Sequence, residues 1–359
     1  MKFYGSKTTI HSFLFFVITY AVCISNTMYA QNRHADVITD KIPPRIIRAC
    51  CAFGYDLKLW GIPFVNIDQV ISVDDLGEHY FMGNSKEGVG TVYTRKGGFI
   101  DIGHVRDQMD WTRFLFVTIT KNKGKGEVHI PLRREAGKKN LYLNIPTTLS
   151  HDDCMLLAGK IAFDFSLWHE ISTWYGASTV PFISEKFSSF SLEDVYSNLL
   201  GVHIGIRALK SKLPYNEAAT QLLGTTLDSL DVVQTAQETY DAYDAIHNIW
   251  FTSKKRIPSR HITLKRDPNV LLSSHPWLVP NLENDTQDGI ILEVPLLNSN
   301  EVSLTNFYQF TIDVNRKIPI AEILDAPNRG IITQNDFALL LEKISQEIKT
   351  IEDDERSKK

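Results

Sequence analysis

Apolar and polar positions change their spacing several times along the chain. After paired prolines, "IIRACCAFG" (46–54) reads as a buried extended run. "GVGTVYTRKGGFIDIG" (88–103) alternates, is rich in β-branched residues and is bounded by glycines, which predicts strands; Gly97 and Gly98 mark a turn or a close backbone approach. From His104 glycine and proline disappear, and Met109, Phe116 and Val117 lie near a helical stripe. That spacing predicts a helix over 104–113, while 114–121 fits either helix or strand. "EVHIPLRREAGKKNLYLNI" (127–145) reads as a hairpin turning near Gly137.

The middle of the chain is helical by period. Residues 152–175 contain no breaker stronger than Gly159, and Gly176 is placed as their stop. A second helix begins at "SLEDVYSNLLGVHIGIRALKSK", with Ser191 as its cap, and two or three more follow over 216–250 before "SKKRIPSRHITLKRDP" breaks them. "DGIILEVPLL" and "FYQFTIDVN" are strand-like, and 334–359 reads as a helix fraying into a charged tail. No internal repeat or low-complexity linker interrupts the pattern. The expected architecture is therefore a single α+β domain over 31–350, a helical middle region flanked by β-rich segments, with 351–359 a disordered tail.

Composition fits a globular chain: 359 residues, 43% hydrophobic and 22% charged. Lys2 and Lys7 precede the apolar run "FLFFVITYAVCI" (13–24), and Ala30 offers a small residue for cleavage. This predicts a signal peptide over 1–30 and an exported protein, periplasmic or extracellular; the run is too short for an ordinary membrane helix. A lipid anchor at Cys23 is the competing fate, although Val22 stands where a small residue is expected. No later segment has the length of a membrane span. Cleavage removes two lysines and no acids, taking the formal charge from −4 to −6. Such an acidic surface does not suit nonspecific nucleic-acid binding, which rests on Lys and Arg neutralising phosphates. Export also permits a disulfide from Cys154 to Cys50 or Cys51, with buried thiols as the alternative.

Candidate chemistry centres on "FDFSLWHEISTWYG" (163–176). It places His169, Glu170 and Thr173 where the HExxH zinc pattern has histidine, glutamate and a second histidine. On a helix His169 and Thr173 lie about 40° apart, with Glu170 about 100° round from His169. Glu170 is thereby free to act as a base beside a metal held by its neighbour. Threonine is no substitute for imidazole, so ligands must come from elsewhere. One source is "SFSLEDVYSNLLG", with Asp194 on a following, antiparallel helix; the other is "GGFIDIGHVRDQMDW", where a strand end delivers His104 between Asp101 and Asp107. The expected set is His104, His169 and Asp194 as zinc ligands with Glu170 as base. Asp101 or Asp107 would orient His104.

Residues 167–201 also resemble the gluzincin metallopeptidases, in which a second helix carries an acidic ligand and, four residues later, a supporting side chain. That resemblance implies the ligand slot for Asp194, the supporting slot for Asn198, and Glu193 as the alternative ligand. Over most of its length the chain resembles a family of uncharacterised exported bacterial proteins, through "IRACCAFG", "GGFIDIGHVRD", "WHEISTWYG" and "SSFSLEDVYSNLLG". This grouping implies no chemistry of its own.

The expected function is an exported zinc-dependent hydrolase acting on a peptide or amide bond in the cell envelope. Two alternatives stand beside it: a noncatalytic envelope-binding or scaffold protein with structural histidines, and a metal-free glycan-cleaving enzyme using Glu170 and Asp194. Ser191 and Asp194 also match a helix-capping pattern. Arg260 and His261 could receive an anionic substrate group or simply lie on a solvated strand.

Overall fold

A computed structural model of the chain describes residues 70–177, 188–254, 260–280, 288–315 and 330–356, with short pieces at 43–44, 48, 53–55, 186, 282, 318 and 320–325. The expected leader at 1–30, Cys23, Cys50 and Cys51 lie outside the described residues. Apart from Pro43, those described fall in one compact unit, Pro44–Lys359. Helix and strand are mixed throughout it, an α+β fold.

Strands β1 (Thr91–Thr94) and β2 (Gly98–Asp101) form an antiparallel hairpin in which Thr91 faces Asp101. Gly98 has φ +70°, and a Cβ there would lie 2.4 Å from the Trp277 carbonyl oxygen, so the turn and the close approach demand glycine together. β2 runs directly into helix α1 (Ile102–Asn122), capped by Asp101, whose Oδ1 accepts from the His104 amide at 3.0 Å. The segment 114–121 is helical: Leu115 and Ile119 recur one turn apart and are fully buried. Its β-branched threonines are absorbed by the helix, since Thr118 and Thr120 donate to carbonyls one turn back.

Strands β3 (Glu127–Pro131) and β4 (Gly137–Asn144) form the expected hairpin. Their sheet is completed by β9 (Tyr308–Val314) and β10 (Ile331–Thr333) in the order β10-β9-β4-β3, with Leu141 facing Phe310. Helix α2 (His151–Trp174) lies against this sheet, and Trp168, Phe163, Ile161 and Leu157 are buried with Leu141, Phe310, Ile312 and Ile332 in one core. Each such side chain contributes roughly 1.5–3 kcal/mol by leaving water. The Trp174 indole N–H donates to Glu347 at 2.8 Å, tying α2 to the C-terminal helix.

Helix α3 (Leu192–Lys210) packs against both α1 and α2, which also touch each other. Its Gly201 and Gly205 face Val105, Met109 and Thr112, so α3 runs parallel to α1. Gly159 of α2 faces Val202 and Ile206, while Glu170 reaches Phe190, so α2 and α3 are antiparallel. Helix α4 (Tyr215–Ser229) covers Val92 and Ile100 with Leu223 and Leu227. Helix α5 (Ala236–Ile246) stacks Tyr243 on Phe99 with centroids 4.2 Å apart.

The remaining elements are short strands and one long helix. β5 (Phe251–Lys254) pairs with β6 (Arg260–Thr263). "IILEVPLL" yields only β8 (Leu292–Glu293), paired with β7 (Ser273–Ser274); Pro295 removes a donor just beyond. A short helix α6 (Ile320–Ile323) precedes α7 (Phe337–Arg356), which carries helix into the region read as a charged tail. Cys154 is a free buried thiol on α2, and both of its candidate disulfide partners, Cys50 and Cys51, lie outside the described residues. Its side chain belongs to the α2 core, where burial pushes the thiol up. No described helix is long and apolar enough to cross a membrane.

Candidate metal centre

The end of β2 and the starts of α1 and α3 meet at one place. There Asp101, His104 and Asp194 bring one ligand atom each within 4.8 Å of one another. His104 Nδ1 lies 3.2 Å from Asp194 Oδ1 and 3.5 Å from Asp101 Oδ2. The side chains keep a narrow opening to solvent, 14% for His104 against 7% for Asp194. Asp101 is held at its backbone, whose N–H donates to Ser197 Oγ at 2.9 Å. Both helices direct their N-termini here, which favours carboxylates.

Opposing effects set the charges. Burial works against a charged His104, but Asp194, Asp101 and the more distant Glu170 outweigh it and hold the imidazole well above its usual value. Asp194 is pushed up to about 7, chiefly by burial, with His104 pulling the other way and Glu170 and Asp101 adding to the rise. Glu193 stays well above the usual carboxylate range because of burial and Asp194 beside it. The Ser191 hydroxyl lies 2.7 Å from Asp194 Oδ2 and 3.0 Å from Glu193 Oε1. Its single proton serves the nearer carboxylate, so the contact to Glu193 is the weaker of the two.

The donor set fits a divalent cation. Ligand atoms around a tetrahedral ion with bonds of about 2.0–2.1 Å stand about 3.3 Å apart, and the two distances to His104 Nδ1 bracket that spacing. Among the described residues, Glu193 Oε2 and Asn198 Oδ1 are buried without a hydrogen-bond partner. Asn198 stands one turn after Asp194 on the stripe of α3 that continues to Gly201 and faces α1. Orphaned acceptors cost about 1–3 kcal/mol each, so they fit a site built to receive a positively polarised ligand.

The other residues singled out in the sequence lie differently. His169 does not join the cluster. Its Nδ1 is 2.6 Å from Glu135 Oε1, in the β3–β4 turn, and the Trp168 indole N–H donates to the Glu135 carbonyl at 3.1 Å. Glu170 is buried and accepts from the Phe190 amide at 2.6 Å, close enough for His104 and Asp194 to feel its charge. Thr173 donates to the His169 carbonyl at 2.7 Å, an intrahelical bond. Arg260 and His261 stand in β6, and their side chains lie outside the described residues.

Asp107, though close enough to His104 to feel its charge, is bonded within a second buried network. Arg48 donates to Asp107 at 2.6 Å, to Asp110 at 2.9 Å, and to both oxygens of Glu87 at 2.9 and 3.0 Å. His79 Nε2 lies 3.2 Å from Asp110, and Arg106 donates to the Leu76 carbonyl at 2.6 Å. This network is absent from the sequence reading, although a signal existed: an arginine inside the apolar run "IIRACCAFG" requires buried acids as partners.

The His169–Glu135 pair makes a pH prediction. Glu135 raises His169 to about 9 against the opposing effect of burial, while Lys139 and His169 hold Glu135 well below the usual range despite its own burial. Stability from the raised histidine is complete below its ordinary value of 6.5 and is lost as pH rises through about 9. That from the depressed glutamate is complete above 4.5 and is lost on acidification. The pair therefore contributes fully only between these two values. Glu135→Gln is expected to cost about 1.5–3 kcal/mol in urea unfolding at pH 6 and clearly less at pH 10. An equal deficit at both pH values would refute the assignment.

Residues 39–280 match the family described as "Protein of unknown function (DUF4056)", and the chain belongs to that family. No curated protein and no solved structure matches the chain.

Proposed function

We propose that the protein is an exported metal-dependent hydrolase in which Asp101, His104 and Asp194 hold a divalent ion, zinc by ligand type, and that it cleaves a peptide or amide bond in the cell envelope. The observation that carries this reading is the convergence of one imidazole nitrogen and two carboxylates at the starts of two helices, at ligand-like separations. The ion would supply Lewis acidity toward a substrate carbonyl. Glu170, steadied by the Phe190 amide, accepts the proton of the attacking water. Export rests on the leader read at 1–30.

Metal analysis of protein purified without an affinity tag tests the reading. About one ion per chain is expected, lost in His104→Ala and in Asp194→Ala. Glu170→Gln should keep the ion and lose hydrolysis by about 10²-fold or more. A metal-free preparation that does not take up added zinc would overturn the proposal.

A second reading is favoured by the tightness of the cluster. His104 between two carboxylates can serve as a buried imidazolium joining α1 to α3, in a noncatalytic scaffold. Under it, His104→Ala would cost about 3–5 kcal/mol with no ion involved. Glycan cleavage by chelated protein would favour Glu170 and Asp194 as an acid pair instead.

A further inference from the structure

Ser191 occupies the N-cap of α3, with φ −60° and ψ 151°, and is 1% exposed. A serine there ordinarily accepts a hydrogen bond from the backbone two or three residues on. The spacing Ser191 to Asp194 invites that arrangement, yet the Ser191 side chain makes no capping bond. Its hydroxyl instead faces two carboxylates, the nearer being Asp194 Oδ2 at 2.7 Å and the other Glu193 Oε1 at 3.0 Å.

We propose that Ser191 is a positioning residue that presents Asp194 to the metal; the claim rests on the metal reading above. A carboxylate rotates over a broad, two-fold torsion when nothing holds it. With Oδ2 engaged by Ser191, Oδ1 is the oxygen 3.2 Å from His104 Nδ1, and the group is ordered before an ion arrives. Outer hydrogen bonds of this kind typically change metal affinity 10–100-fold. A second serine of α3 steadies the other carboxylate residue: Ser197 Oγ accepts from the Asp101 amide at 2.9 Å. Helix α3 thereby supplies one ligand and holds both acids.

Zinc affinity measured by competition with a chromophoric chelator, on the full chain, separates positioning from capping. Glycine is nearly as good an N-cap as serine but has no hydroxyl, whereas threonine keeps the donor. If Ser191 positions Asp194, Ser191→Ala and Ser191→Gly should both weaken zinc binding by about 10–100-fold, and Ser191→Thr should restore it to within a few-fold. If Ser191 only ends the helix, Ser191→Gly will bind zinc as the parent does, and the proposal falls. Should the alanine variant not fold, the glycine and threonine variants still decide. A parent chain that takes up no zinc sinks the metal centre itself, an outcome distinct from one in which parent and glycine variant bind equally.

Discussion

Replacing Arg48 with methionine, which keeps length but removes charge, is expected to destabilise the protein by about 3–5 kcal/mol in urea unfolding. The guanidinium is 4% exposed and is the shared counter-charge of Glu87, Asp107 and Asp110. Burial works against its own charge, but the three acids more than offset that and keep it ionised. Without Arg48 the carboxylates remain buried; Arg106 pairs with Glu87 at 3.6 Å while its other nitrogens donate to backbone carbonyls, so it offsets only part of the loss. Asp107 already sits at about 7 through burial, even with Arg48 pulling it down, so losing Arg48 raises it further. A carboxyl raised in the folded state loses stability as pH rises. The deficit of Arg48→Met should therefore be larger at pH 8 than at pH 5. A deficit under 1 kcal/mol, or one that grows on acidification, would show that Arg48 is not the keystone of this network.

The alternation and periodicity that predict the α+β class also predict its local elements: the 127–145 hairpin, α2 with its stop at Gly176, and α3 from Ser191. Pairing between distant segments was not legible. Nothing in "FYQFTIDVN" says that it lies beside β4 rather than another strand, because the β-period repeats identically in every half-buried strand. The site was legible in part for a related reason. His104 and Asp194 announce themselves by following a strand end and a helix cap. The HExxH-like spacing, by contrast, does not tell which side of α2 faces α3.

Glycines at helix contacts carry the missing phase. Gly159 touches α3, and eleven residues later Glu170 returns to within about 20° of the same face, whereas His169 lies about 80° away from it. Glu170 consequently reaches Phe190 at the start of α3, and His169 is turned toward the β3–β4 turn, where Glu135 meets it. The same phase applies on α3. Asp194 precedes Gly201 by seven residues, about two turns, and so shares the face that meets α1.

That phase makes Gly201→Ala the sharpest test of how the fold builds the site. A Cβ at Gly201 would lie 2.3 Å from the Val105 carbonyl oxygen and 2.9 Å from Val105 Cα, both backbone atoms of α1 that cannot rotate away. Overpacking of this kind costs about 1–3 kcal/mol, occasionally more, against about 1 kcal/mol that alanine gains over glycine by helix propensity. A net loss of about 2 kcal/mol is expected, with α1 and α3 pushed apart. Since Asp194 and His104 sit on those two helices, the separation should also lower zinc affinity by about ten-fold or more, because ligand bonds tolerate only a few tenths of an ångström. Gly224→Ala is the matched control. It lies inside α4 with nothing within 4 Å of an added Cβ, so it should stabilise by about 0.5–1 kcal/mol and leave zinc binding unchanged. Opposite signs from two glycine-to-alanine changes in helices would tie the spacing of α1 and α3 directly to the proposed metal site. If Gly201→Ala were instead neutral in both stability and zinc affinity, the close contact would not be what holds Asp194 against His104.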